Sequence, residues 1–426
     1  MSFSVATLEA NSTPAGTFNS LSPKMAVLPN GMIVVGYLTS TNYPAETAQN
    51  FRLDLLNADF SLNTRLYEQV LPTNPPAVVA SATGEVYVVY SDLITGIVWV
   101  GYWPDPINHP TTRAWYQGPT QQPSGKFSAA WDETRRCLFY IGNQNQPMVR
   151  FEEGGAYTVI PLFSTSTTGV LEYPSVQVNP DGRIDLAWVN VPANWSGPPW
   201  YRGANYMCSA AAVMGQGYSA NAWSIGTQGP AITIPTMPDN GQTQYSTNEE
   251  LVKNVFMSSF FADDQYLHFV MYETPGQAER GLANPNRGGM VYIRASRING
   301  SIQLRRAPLR GETFVPKYVG SAGSIITKRN GNLYIVCASG DRLLSLVSPD
   351  DGVTWHDHQM YQDPAWAASG WLSNNFIYTV GAVQPQFNFG STSIIGTFSI
   401  VEESAQNWVT LPAMPPAQTM AFRLTL

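Results

Sequence analysis

Apolar and polar positions along the chain fall into a repeated figure. A short apolar run is followed by a turn built on Asn-Gly, Asp-Gly or a relative, then by a second, nearly continuous apolar run. "MAVLPNGMIVVGY" from Met25 shows it first. It returns as "AVVASATGEVYVVY" from Ala77, "SAAWDETRRCLFYIG" from Ser128, "SVQVNPDGRIDLAW" from Ser175, "MSSFFADDQYLHFVMY" from Met257 and "SIITKRNGNLYIVC" from Ser324. A worn copy is "YTVGAVQPQFNFGSTSIIGTFSI" from Tyr378. Each predicts an antiparallel pair of strands, because β-branched and aromatic residues suit a pleated surface and Asn or Asp before Gly suits the tight turn. Between the pairs, "IVWVGYW", "PMVRFEE", "YMCSAAAV", "GMVYIRASRINGSIQL", "LLSLVSPDDGVTW" and "TFSIVEESAQNW" predict outer strands.

The figure recurs about every 50 to 80 residues, the scale of one four-stranded blade of a toroidal β repeat. No stretch holds a helical period, and 35 Gly and 32 Pro punctuate the whole length. The prediction is an all-β chain folded as a single β-propeller over residues 1–426, with seven four-stranded blades, or six as the alternative. The final "MAFRLTL" and the initial "SFSVATLEA" both read as strands, and pairing them would close the ring and remove an open edge. On this reading Ile33, Val88, Phe139, Leu186, Phe269 and Ile335 occupy equivalent strands.

Composition narrows the chemistry. The chain is 44% hydrophobic and only 12% charged, so its solubility rests on Ser, Thr, Asn, Gln and Gly. A net charge of −7 with no Lys/Arg cluster longer than two adjacent residues argues against nucleic acid as a partner. Cys137, Cys208 and Cys337 sit in strand-like segments at no ligand spacing and read as buried free thiols; neither a metal nor a cofactor is expected. The start "MSFSVATLEANSTPAG" lacks the pattern of a secretion signal and no stretch is long enough to span a membrane, so the expected setting is extracellular or virion-associated, with the cytoplasm left open.

"SPDDGVTW" sets Ser348, Asp350, Gly352 and Trp355 at the spacing S-x-D-x-G-x-x-W. Ser and Asp can accept from the amides of their own loop, Gly supplies a left-handed residue, and Trp folds back as an apolar plug, so the octapeptide reads as scaffold. Trp223 and Trp408 end comparable stretches. The spacing resembles the Asp box, or BNR repeat, of sialidase-like β-propellers. "YPSVQVNPDGRIDLAW" and "FFADDQYLHFVMYE" with "GGMVYIRAS" resemble repeats of a putative sialidase group that includes polysaccharide lyases. That resemblance implies a His and Tyr acid/base pair with an opposing Arg, which fall here on His268, Tyr173, Tyr272, Arg183 and Arg294. The Arg-Ile-Pro signature of true sialidases is absent, and Arg52 is a weak substitute for it.

Two stretches interrupt the spacing: residues 191–252, rich in Pro, Gly, Asn and aromatics, and residues 276–289. Trp195, Trp200, Tyr201 and Tyr206 would make a stacking platform for sugar rings, or else cover a blade edge. His356 and His358 flank Asp357, which on a regular strand would point both rings to one side. The expected partner is a polysaccharide or cell-surface glycan, with no nucleic acid and no membrane insertion, and with further copies of the chain or virion components as assembly partners. Three functions stay open: a glycan-recognising attachment propeller of a virion, tail or surface, a polysaccharide lyase or glycosidase, and a structural assembly propeller.

Overall fold

The computed structural model describes residues 2–13, 16–17, 21–40, 49–71, 73–122, 125–144, 146–162, 169–179, 182–192, 203–209, 232–235, 254–274, 289–297, 300–306, 323–339, 342–362, 375–383, 392–402 and 417–426. Five four-stranded antiparallel sheets follow one another as simple meanders, beginning at Ala77, Phe127, Gly169, Asn254 and Ser324. An eight-stranded sheet joins an opening meander (Pro23–Val27, Ile33–Ser40, Gln49–Leu56, Leu62–Val70) to a closing one (Asn375–Val383, Ser393–Glu402, Ala417–Thr425). The join is a short parallel pairing of Pro23 with Ala382 and Met25 with Val383. No α-helix occurs among the described residues, and so none long and apolar enough to cross a membrane.

The first strands of successive meanders lie against one another in chain order, and Asn375–Val383 returns to Pro23–Val27. The sheets therefore stand around an axis as in a β-propeller. The chain's start closes the ring: Ser2–Ser12 adds as the fourth strand beside Ala417–Thr425, from Ser2 opposite Thr425 to Ser12 opposite Ala417. Ile33, Val88, Phe139, Leu186, Phe269 and Ile335 all lie on the second strands of their meanders. Those strands are covered on both faces by neighbouring sheets, which is why "VYVVYS" and "CLFYIG" are buried throughout instead of alternating.

The core is a series of apolar layers, one per joint. Ala26, Val34, Leu38, Phe51 and Leu53 of the opening meander pack with Val78, Ala80, Val86, Val88 and Trp103 of the second. Tyr87 stacks on Trp131 across the next joint at 4.7 Å between ring centroids. Leu21, from the segment that leads inward from the closing strand, joins the layer between the fourth and fifth meanders, and its carbonyl accepts from Ser128 Oγ at 3.0 Å. Residues 191–252 are not simply an insertion, since Gly203–Cys208 and Ile232–Pro235 are the third and fourth strands of the fourth meander. "TFSIVEESAQNW" likewise supplies part of a second strand, Ser393–Glu402, instead of an outer one. Cys137, Cys208 and Cys337 are buried free thiols, and burial pushes Cys137 and Cys337 up to about 12.

Candidate functional site

In each meander the turns between first and second strands, and between third and fourth, fall at one end of the sheet. The turns between second and third strands, and the connections from one sheet to the next, fall at the other. The sequence candidates divide between these ends. His268, Arg183, Arg294 and the 348–355 hairpin lie at the first end, whereas Tyr173 and Tyr272 lie toward the second.

At the first end the hairpin is held by its own side chains. Ser348 Oγ accepts from Gly352 N at 2.7 Å and donates to Asp350 Oδ1 at 2.8 Å. The same Asp350 oxygen takes Thr354 N at 2.8 Å, and Oδ2 takes the Thr354 hydroxyl at 2.7 Å. Burial acts to raise the Asp350 pKa, but these bonds together hold the carboxyl below its ordinary range. Gly352 is left-handed at φ 87°, and a Cβ there would sit 2.1 Å from the Tyr292 ring. Trp355 is buried and meets Tyr292 edge-on at 5.0 Å.

His268 is fully buried beneath this hairpin. Its Nδ1 is 2.7 Å from Tyr292 Oη and its Nε2 is 3.3 Å from Asp263 Oδ2. Burial lowers the His268 pKa, with Asp263 pulling the other way. Asp263 also takes Lys328 Nζ at 2.9 Å, and Lys328 reaches Asp351 at 2.6 Å. Burial acts to raise the Asp263 pKa, but the bonds from His268, Gln265 N and Lys328 hold it well below the usual carboxylate range. Arg294 lies over the Tyr266 ring at 4.5 Å and donates to the Asp351 carbonyl at 2.8 Å. His268 and Arg294 are thus parts of a joint between the fifth and sixth meanders. His268, expected as an acid/base residue, has no access to solvent in this structure, and Tyr173 lies at the opposite end.

The neighbouring joints at this end carry similar clamps. Arg136 pairs with Glu85 at 2.5 Å across the second and third meanders, and Arg135 pairs with Asp132 and donates to the Gly182 carbonyl at 2.9 Å. Arg297 meets Asp185 at 2.6 Å with both groups buried. Tyr206, expected in a stacking platform, donates its hydroxyl to that Asp185 and is itself fully buried. Arg183 sits in the adjoining turn, where its carbonyl accepts from Asn179 N at 2.8 Å. Arg52 is taken up by Glu9 and by Glu68 at 2.7 Å. A bulge undoes the expected alignment of His356 and His358: Leu346 faces Asp357 and Ser345 faces Gln359, which leaves His358 as the extra residue. Trp195, Trp200, Tyr201, Trp223 and Trp408 lie outside the described residues, as does the side chain of Tyr272.

The second end has a different character. The first strand of the fourth meander, Gly169–Val178, breaks register between Glu172 and Ser175, and Tyr173 stands at φ 50° directly before Pro174. A left-handed aromatic residue costs about 1 to 2 kcal/mol and persists only where its surroundings fix it. Asn143, from the turn after Cys137–Gly142, supplies the fixing. Its Oδ1 accepts Tyr173 N at 2.9 Å, its Nδ2 donates to Glu172 Oε2, and its carbonyl accepts Gln122 Nε2 at 2.6 Å. Gln144 N adds a bond to the Leu171 carbonyl at 2.7 Å. Lys126, from the connection between the second and third meanders, donates to Tyr173 Oη at 3.0 Å and lies 4.4 Å from the ring centroid. Lys126, Glu172 and Tyr173 are half-buried on this floor of buried amides.

Three segments distant in sequence thus bring a cation, a carboxyl and a phenol together at one mouth. Sequence reading named Tyr173 and did not name Lys126, Asn143 or Glu172. The available signal was Pro174 inside a predicted strand, since a proline there marks a bulge. Among the described residues no group of three or more His, Cys, Asp or Glu is placed to hold a metal ion.

The architecture is that of a β-propeller with a cluster of polar groups at one end. Two solved structures are similar over nearly their whole length. One is an ulvan lyase of polysaccharide lyase family PL25, 11% identical, covering 96% of this chain and 94% of that one at a TM-score of 0.57. The other is the polysaccharide lyase Uly1, 9% identical, covering 98% and 92% at 0.58. A phage phi92 endosialidase covers 100% of this chain and 69% of its own at 10% identity and a TM-score of 0.42. At these identities the likeness is one of fold. No family model and no curated protein matches the sequence.

Proposed function

We propose that the chain is a seven-bladed propeller that recognises a polysaccharide at the end carrying Lys126, Glu172 and Tyr173, with little or no turnover. The observation that carries this reading is the meeting of these three half-buried groups on a floor fixed by Asn143 and Gln122. Fixed, half-buried polar groups suit the many hydroxyls of a sugar, and the fold shared with two polysaccharide lyases supports a glycan as the ligand class. The opposite end, bound up in ion pairs and in the Asp-box hairpin of Ser348, Asp350, Gly352 and Trp355, serves the scaffold. A glycan-binding propeller of this kind suits attachment of a virion, tail or cell surface to a host polysaccharide.

A second reading, a polysaccharide lyase or glycosidase, draws on one observation: the Tyr173 hydroxyl is bonded to the Lys126 cation beside a carboxyl. Both readings are tested by a glycan array, followed by incubation of each hit with the protein and assay for new reducing ends and for the ultraviolet absorbance of an unsaturated uronate. Binding without product is the expected result. Product formation that Tyr173→Phe abolishes would replace recognition with catalysis, and a blank array would leave the assembly role.

A further inference from the structure

Glu172 differs from the other carboxyls that the fold draws away from solvent. Asp54, Asp132, Asp185 and Asp263 each face a cation: Arg65, Arg135, Arg297 and Lys328. Glu172 has none within ion-pair reach among the described residues. Its Oε2 accepts from the Asn143 amide, its Oε1 has no partner among the described residues, and nearby Lys126 donates to Tyr173 Oη at 3.0 Å. Among the described residues the titratable groups that face it are Lys126, from the preceding connection, and Tyr173, on its own strand. The Asn143 turn adds only neutral amides.

With no ion pair to offset it, half-burial disfavours the charged form of this carboxyl. Burial raises the Glu172 pKa against a downward pull from Lys126. The register break also fixes where Oε1 points, because Asn143 holds both Glu172 Oε2 and Tyr173 N.

We propose that Glu172 acts as a carboxylic acid whose Oε1–H donates to an acceptor-only oxygen of the sugar, the acyl oxygen of an N-acetylated, uncharged unit. The inference rests on the glycan reading of this mouth. A sugar hydroxyl both donates and accepts, so it pairs with either form of the carboxyl. An acyl oxygen pairs only with the acid and is repelled by the ionised group. Among uncharged sugar oxygens it is also the strongest acceptor, so the site selects it, and does so better in acid.

The test is calorimetric titration of chitohexaose and cellohexaose into the wild type, Glu172→Gln and Glu172→Ala, near pH 5 and near pH 8. The wild type is expected to bind chitohexaose about tenfold more tightly at the lower pH, the effect of one pKa unit. Glu172→Gln, a permanent donor, should keep the acid-side affinity at both values, and Glu172→Ala should lose it at both. Equal wild-type affinity at the two values, or Glu172→Gln binding as weakly as Glu172→Ala, overturns Glu172 as the donor and leaves glycan recognition intact. Preference for cellohexaose, or hits on an array that include neither hexasaccharide, overturns the acyl assignment alone; a blank array overturns both readings. A readout without sugar is urea unfolding across the same pH range. Because the folded form holds the proton more tightly than the unfolded one, the wild type should lose stability relative to Glu172→Gln as pH rises. A constant difference between the two proteins would refute the inference whatever sugar binds.

Discussion

Asp350 and Trp355 hold the 348–355 hairpin in different ways, and their replacements should differ accordingly. Asp350 is exposed, so water can replace its bonds to Thr354 and Ser348; Asp350→Ala should cost about 1 kcal/mol. Trp355 is buried against Tyr292, and Trp355→Ala should cost about 3 to 5 kcal/mol. Urea unfolding measures both, and neither change should move glycan affinity. The His268 and Asp263 pair predicts a response to acid. Unfolded His268 takes a proton near pH 6.5, while the buried ring resists it, so stability should fall as pH drops through that value. Asp263 is held low in the fold, so its contribution is present above the ordinary carboxylate pKa and is lost as pH falls through the range below it. Unfolding measured from pH 8 to pH 3 should show both steps, and His268→Gln should remove the upper one. At this scale the sequence was legible for the hairpin, whose bonds are local, but not for His268. Alternation along "QYLHFVMY" leaves open which joint a side chain enters, and the partners Asp263, Tyr292 and Asp351 come from separate strands and turns.

The elements themselves follow from short-range rules. Asn30-Gly31 lies in the turn between the first two strands of the opening meander, and Gly31 and Gly182 have φ of 84° and 75°. Full burial turned these second strands into continuous apolar runs, so they could be recognised without alternation. The break at Glu172–Ser175 was legible only through Pro174, since its cause, the Asn143 side chain, arrives from another sheet. Asn143→Ala removes an acceptor from Tyr173 N and a donor from Glu172. It should cost about 1 to 3 kcal/mol and weaken glycan binding together with stability. Binding left intact in a folded Asn143→Ala protein would separate the mouth from recognition.

At the scale of the whole molecule, one ring is closed by strands from both ends of the chain. Repeats and strand-like termini made that closure legible. The division of labour between the two ends of the ring was not, because the clamps Glu85–Arg136, Asp185–Arg297 and Asp263–Lys328 join residues far apart in sequence. Deleting residues 2–12 would uncover the edge of Ala417–Thr425 and the layer on which Phe3 and Val5 pack. The shortened protein should lose about 3 kcal/mol or more and self-associate on size-exclusion chromatography. The account's central claim is that the end carrying Tyr173 meets the glycan and the hairpin end does not. The most direct test is the affinity of Lys126→Ala, Tyr173→Ala, Asp350→Ala and His268→Gln proteins for a polysaccharide identified on the array, with unfolding followed in parallel. The first two should lose about tenfold or more in affinity while staying folded, and the last two should lose stability with affinity unchanged. Affinity lost in Asp350→Ala or His268→Gln and kept in Lys126→Ala and Tyr173→Ala would place recognition at the opposite end and contradict the account.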